Sequence, residues 1–135
     1  MAKILTKGFE VSQSYILKNS EVIAENDLVS LSGWFLIKAI ATWEIKGFAK
    51  TTLTAASDNQ TVAKKVVVVA QKNPSMTIQA TASAASLTNA DVGSYFNLVV
   101  STQLVDYATK TTTKAWAQLE LTRVVSTTVG EFIIL

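Results

Sequence analysis

Hydrophobic and polar residues alternate with a period of two over several short stretches of this chain. Residues 117–122 read Ala-Gln-Leu-Glu-Leu-Thr, which puts Ala117, Leu119 and Leu121 on one face and Gln118, Glu120 and Thr122 on the other. That is the signature of a half-buried strand. Met76, Ile78, Ala80 and Ala82 alternate in the same way with Thr77, Gln79, Thr81 and Ser83, and Phe96, Leu98 and Val100 with Tyr95, Asn97 and Val99. Residues 129–135 supply a last apolar strand, interrupted by Gly130 and Glu131. Val66, Val67, Val68 and Val69 are apolar on both faces and predict a central or covered strand, with Lys64, Lys65 and Lys72 as charged flanks that discourage aggregation. A turn at Ser32-Gly33 between two apolar runs, 28–31 and 35–37, predicts a hairpin.

One stretch, 87–93, carries a helix signature: Thr88 as N-cap, Asp91 three residues on, and Gly93 as the stop. It has room for little more than one turn. Residues 55–60 and 106–114 are polar and predict exposed loops. Residues 1–20 are expected to form an N-terminal arm or a first strand, and 21–135 a single β domain. The expected architecture is all-β, a compact barrel or sandwich of about 6–9 short strands with one short helical turn near 88–92.

Composition supports this picture and narrows the chemistry. The chain has 135 residues, with only one proline and five glycines, and its abundance of threonine, serine, valine and alanine favours sheet. Although 49% of the residues are hydrophobic and the mean hydropathy is +0.31, no apolar run approaches the roughly 18 residues needed to cross a bilayer. The opening residues carry charge without a continuous apolar stretch, which predicts synthesis and retention in a cytoplasm. No cysteine and no histidine are present. Disulfides, thiolate nucleophiles, sulfur-ligated zinc and the commonest general base are thereby excluded. A formal charge of +2 selects no partner.

Phosphate-binding glycine motifs are absent, because the glycines at 8, 33, 47, 93 and 130 are far apart. Glu21, Glu25 and Asp27 form the one acidic cluster that could offer hard oxygen ligands, but they lack the spacing of a calcium loop and read as a solvated turn. Asn59-Gln60-Thr61 matches a glycosylation acceptor that has no consequence without a secretory signal. The expectation is no catalysis, no cofactor and no metal.

Trp34, Trp43 and Trp116 with Tyr15, Tyr95 and Tyr107 could form a stacking platform for sugars or bases, although tryptophans in a domain of this size are mostly core. Trp34 directly follows the expected turn, and Trp116 is in antiphase with Ala117, Leu119 and Leu121, so these two are the candidates to face a partner. Phe9 and Tyr15 join them if the opening stretch docks on a neighbour. Arg123, the only arginine, would point inward if the 117–121 alternation continued, a conflict that a bulge or a barrel rim must resolve. It is either locally paired or a bidentate contact for an acidic partner.

The order of segments resembles the small β-barrel decoration, or cement, proteins encoded among bacteriophage head genes. The resemblance is carried by residues 27–33, then Leu36-Ile37-Lys38-Ala39 and Ile45-Lys46-Gly47-Phe48-Ala49, and more closely by residues 91–98, Val105-Asp106, residues 118–125 and the final 129–135. It covers roughly residues 22–135; the first twenty residues, Trp34-Phe35 and Trp43 depart from the pattern. It implies a structural virion protein on the capsid surface, with the major capsid protein and possibly copies of itself as partners, and with neither nucleic acid nor membrane. The competing expectation is a receptor- or carbohydrate-binding β module of a phage fibre or tail, suggested by the aromatic set and the threonine-rich stretch 109–113.

Overall fold

A computed structural model describes residues 3–6, 10–99 and 102–135, with side chains from residue 10 onward. The described chain is all-β, with thirteen strands in three sheets. A six-stranded sheet has the order β1 (Lys3–Thr6), β9 (Thr77–Thr81), β13 (Val129–Ile134), β12 (Leu119–Val124), β10 (Tyr95–Leu98) and β11 (Val105–Thr111). A five-stranded sheet has the order β2 (Ser12–Ile16), β8 (Val66–Gln71), β6 (Gly47–Ala49), β4 (Leu28–Ser32) and β5 (Phe35–Lys38). A small pair, β3 (Val22–Ile23) with β7 (Leu53–Thr54), forms the third sheet. Every strand pairing is antiparallel.

Both large sheets curl. Ala82 bridges Val105, which draws the β11 edge back towards the end of β9, and Leu17 bridges Leu36, which does the same for β2 and β5. The Lys18 N–H donates to the Leu36 carbonyl at 3.0 Å beside that second junction. Each bridge shortens the stretch of open edge that would otherwise invite pairing with another chain.

The three central strands of the five-stranded sheet, β8, β6 and β4, are buried on both faces. Consecutive residues Leu28/Val29, Phe48/Ala49 and Ala70/Val69 send the first of each pair into one core and the second into another. The first core lies against the six-stranded sheet, where Ile78, Phe96, Leu98, Leu119, Leu121 and Phe132 are fully buried. There the rings of Phe96 and Phe132 meet edge to face with centroids 5.9 Å apart, an arrangement worth about 0.5–1.5 kcal/mol beyond simple burial. The second core gathers Leu17, Ile23, Leu36, Val67 and Val69 beneath the small pair. This double burial explains the valine run: β8 is a central strand between β2 and β6, with Val67 and Val69 buried, while Val66 at its start is half exposed.

The alternation read from the sequence holds for β9 and β10 and for Leu119 and Leu121 in β12, while Val100 lies outside the described residues; β13, expected only as an apolar strand, alternates too, with Gly130, Phe132 and Ile134 buried. Gln118 is a correction, for it is buried rather than outward. The expected loop over 106–114 is also corrected, since most of it is β11, an edge strand with a broad irregularity opposite Tyr95 and Asn97. In the 55–60 segment, Ala55 and Asn59 are buried, and the chain continues into a π-helical turn at Asn59–Ala63. The Asn59 amide donates to the carbonyls of Leu17 (2.6 Å) and Lys65 (3.1 Å) and accepts from the Lys65 N–H (2.9 Å). The first of these bonds satisfies the buried Leu17 carbonyl, and the other two tie the end of the turn to the start of β8.

The helical turn is at Asn89–Asp91, as the sequence predicts. Asp91 is buried; its carboxylate accepts from the Thr88 N–H at 2.9 Å and the Lys110 ammonium at 2.8 Å, with the Tyr107 hydroxyl at 3.3 Å. Lys110, then the Thr88 N–H, hold the Asp91 carboxyl below the ordinary aspartate value of 3.8. A folded-state pKa below the unfolded one stabilises the fold above the ordinary value, and that stabilisation is lost as pH falls through the folded pKa. Asp91→Asn is therefore expected to flatten the acid limb of a stability-against-pH curve below about pH 4. An unchanged acid limb in urea titrations would contradict this role.

Ser30 is fully buried, and its hydroxyl has no partner among the described residues. An unpaired buried hydroxyl costs about 1–3 kcal/mol. Ser30→Ala should consequently raise the urea midpoint, by about 1 kcal/mol of stability; a lowered midpoint would show that the hydroxyl contributes favourably.

Candidate binding surface

The acidic residues do not assemble a centre. The Glu21 carboxylate accepts from the N–H groups of Val22 (3.2 Å) and Lys38 (3.3 Å), while buried Asp27 accepts from the Ala24 N–H (2.9 Å) and faces the Lys38 ammonium at 3.5 Å. Glu25 is exposed. Among the described residues, no group of three or more acidic side chains could hold a metal ion. Asn59 of the glycosylation-like triplet is wholly buried with its amide engaged, so its nitrogen is not open to modification. No helix among the described residues is long and apolar enough to cross a membrane.

The residues singled out as partner-facing do not share one place. Phe9 lies outside the described residues. Tyr15, in β2, is half-buried against the second core, and its hydroxyl donates to Gln13 and accepts from Gln71, both at 3.1 Å. Arg123 points outward: between Leu121, opposite Phe132, and Arg123, opposite Glu131, β12 carries one extra residue. That bulge turns the alternation over, and the guanidinium pairs with Glu131 across the strands.

Trp34 is 88% exposed at the tip of the β4–β5 hairpin. Ser32 pairs with Phe35, so the turn residues are Gly33 and Trp34. Gly33 adopts φ +63°, the positive value that a two-residue hairpin turn of type II′ asks of its first position. Leu36, two residues on, bridges Leu17, whose carbonyl is held by Asn59 of the π-helical turn. Val62 of that turn and Val66, opposite Ile16 at the start of β8, are both exposed.

Trp116 is 90% exposed at the opposite end of that hairpin, where it and Trp43, 39% exposed, line one open cavity of about 250 Å³. Thr42, Glu44, Ile45, Ala117, Gln118 and Leu135 complete the lining. Gln118 joins the two walls: its amide donates to the carbonyls of Ile40 (2.7 Å) and Trp43 (2.5 Å) and accepts from the Leu98 N–H (2.8 Å). Gln103 makes a similar clip nearby, accepting from the Leu28 N–H (2.7 Å) and donating to the Ala39 carbonyl (3.1 Å). The cavity lining is therefore held by the buried, bonded amide of Gln118. Glu44 at the rim is bound by Lys46 at 2.9 Å and lies 3.5 Å from Lys72; the Lys46 contact foremost holds its carboxyl below the ordinary range.

Of the six aromatic residues that the sequence offered as a platform, only Trp43 and Trp116 line this cavity. The contribution of Thr42 and Glu44 has no motif in the sequence that would mark it. Compared with known protein families, the chain matches no family model, and no curated protein is significantly similar to it in sequence.

Proposed function

We propose that the chain is a structural virion protein, a decoration or cement module that attaches to the outer surface of a bacteriophage head and stabilises contacts between capsomers. The observation that carries this reading is Trp34, 88% exposed at the tip of a tight hairpin turn on a rigid, doubly cored scaffold. An indole held out on a tight turn loses little side-chain freedom on docking, and tryptophan is the residue type most enriched among interface hot spots. The segment order that resembles the phage family supplies the identity of the partner, the major capsid protein. The reading involves no catalysis. Repetition over a symmetric shell would make modest individual contacts effectively permanent.

The test is co-sedimentation of the purified chain with expanded empty heads of the phage that encodes it. Saturable binding is expected, and Trp34→Ser should weaken it about tenfold or more, the effect of losing at least ~1.4 kcal/mol at a hot spot. Absence of the protein from pelleted heads at saturating concentration would overturn the reading.

A further inference from the structure

The cavity between Trp43 and Trp116 lies at the other end of the β4–β5 hairpin from Trp34, and the capsid reading makes no use of it. Its two walls are built alike. The Trp43 N–H donates to the Ile40 carbonyl (3.4 Å) and the Ala117 N–H to the Lys114 carbonyl (3.1 Å), so residues 40–43 and 114–117 are both four-residue turns. The third position of each turn has φ +68°, occupied by Thr42 in one and Trp116 in the other. A turn with a positive φ at that position ordinarily takes glycine or asparagine. A β-branched threonine and a tryptophan are both strained there. Of the five non-glycine residues with positive φ among the described residues, two line this one cavity. Backbone strain that clusters at one cleft points to a site, because folding alone gains nothing from it.

We infer that this cavity is a carbohydrate site that takes a single neutral pyranose ring of a glycan, stacked on the Trp116 and Trp43 indoles. The apolar C–H face of a sugar ring matches an indole face, as aromatic rings bind where one side of a ligand is apolar and its edge is wet. The volume falls near the small end of ligand pockets, in keeping with one ring rather than an extended ligand. Polar residues are available to a ring's hydroxyls: Thr42 and Glu44 are in the lining, Glu44 with its carboxylate bound by Lys46, and neither indole N–H donates to another described residue. Those hydroxyl-directed contacts separate a sugar from a proline-rich peptide, which also stacks on indoles but has no hydroxyls to offer. Gln118, next to the 114–117 turn, spends its amide on the 40–43 turn and on the Leu98 N–H, so the site exists before any ligand arrives.

The experiment is calorimetric titration of the full chain with gluco-, manno- and galacto-oligosaccharides and, separately, with decaproline, together with thermal melts of each variant. Binding of at least one oligosaccharide is expected, weakened tenfold or more by Trp116→Ala and by Trp43→Ala and unchanged by Trp34→Ala. Trp116→Gly should abolish binding while raising the melting temperature, since it relieves the positive φ; a purely structural tryptophan would not give that opposition. Failure of all the oligosaccharides to bind at millimolar concentration, binding indifferent to Trp116→Ala, or binding of decaproline alone would each overturn the inference.

Discussion

Gly47→Ala is expected to prevent the chain from folding stably. A β-carbon built at Gly47 falls well inside contact distance of the Ala70 carbonyl oxygen and 2.9 Å from the Ala70 carbonyl carbon, both backbone atoms of the neighbouring strand β8. Backbone in the middle of a sheet cannot swing aside as a side chain can. Gly47 pairs with Gln71 on one side and Val29 on the other, so relief requires β6 to separate from a strand that serves both cores. Overpacking a core costs about 1–3 kcal/mol when side chains can adjust, and here the cost should exceed ~3 kcal/mol, a large share of a typical domain's total stability. Gly33→Ala is the control: nothing lies within 4 Å of its β-carbon, and only the positive φ is strained. That variant should lose about 1–2 kcal/mol. Circular dichroism melts of the two proteins decide the matter, and a Gly47→Ala protein melting within a few degrees of the parent would refute the packing argument.

Gln118→Leu is the second change expected to be severe. It keeps roughly the side-chain bulk but leaves the Trp43 carbonyl and the Leu98 N–H without their partner, and the Ile40 carbonyl with only the long bond from the Trp43 N–H at 3.4 Å. Each abandoned buried group costs about 1–3 kcal/mol, less where water can reach it, so a loss of about 3–5 kcal/mol is expected in urea unfolding. Gln103→Leu abandons two groups, the Leu28 N–H and the Ala39 carbonyl, and should cost less. A loss under ~1 kcal/mol for Gln118→Leu would show that the clip is dispensable. Hydrogen exchange at the Leu98 amide gives an independent reading, since it should quicken in the Gln118 variant beyond the general loss of stability.

The sequence discloses strands best where one face meets a core and the other meets water. Met76, Ile78 and Ala80, Phe96 and Leu98, and Leu119 and Leu121 all obey that rule and are buried. β11 escapes it because it is an edge strand with a register irregularity, and polar residues such as Asp106, Thr109 and Lys110 serve it as well as apolar ones. Gln118 escapes because a polar residue in antiphase reads as solvent-facing, whereas the 40–45 segment packs over it and accepts its hydrogen bonds. Exposure of Trp34 and Trp116 was legible from a turn and a phase argument. Their separation was not, since it depends on which ends of the β4–β5 hairpin the 40–43 and 114–117 turns approach. Those turns contain no glycine, proline or asparagine, so the residues that line the cavity carry no local signal of a bend.

The sheet shared by both cores also governs how the molecule comes apart. Because β4, β6 and β8 contribute side chains to each side, the loss of either core would expose half of the other's wall to water. Partial opening into one intact lobe and one melted lobe is thereby suppressed, and heat should produce a single calorimetric peak whose van't Hoff and measured enthalpies agree.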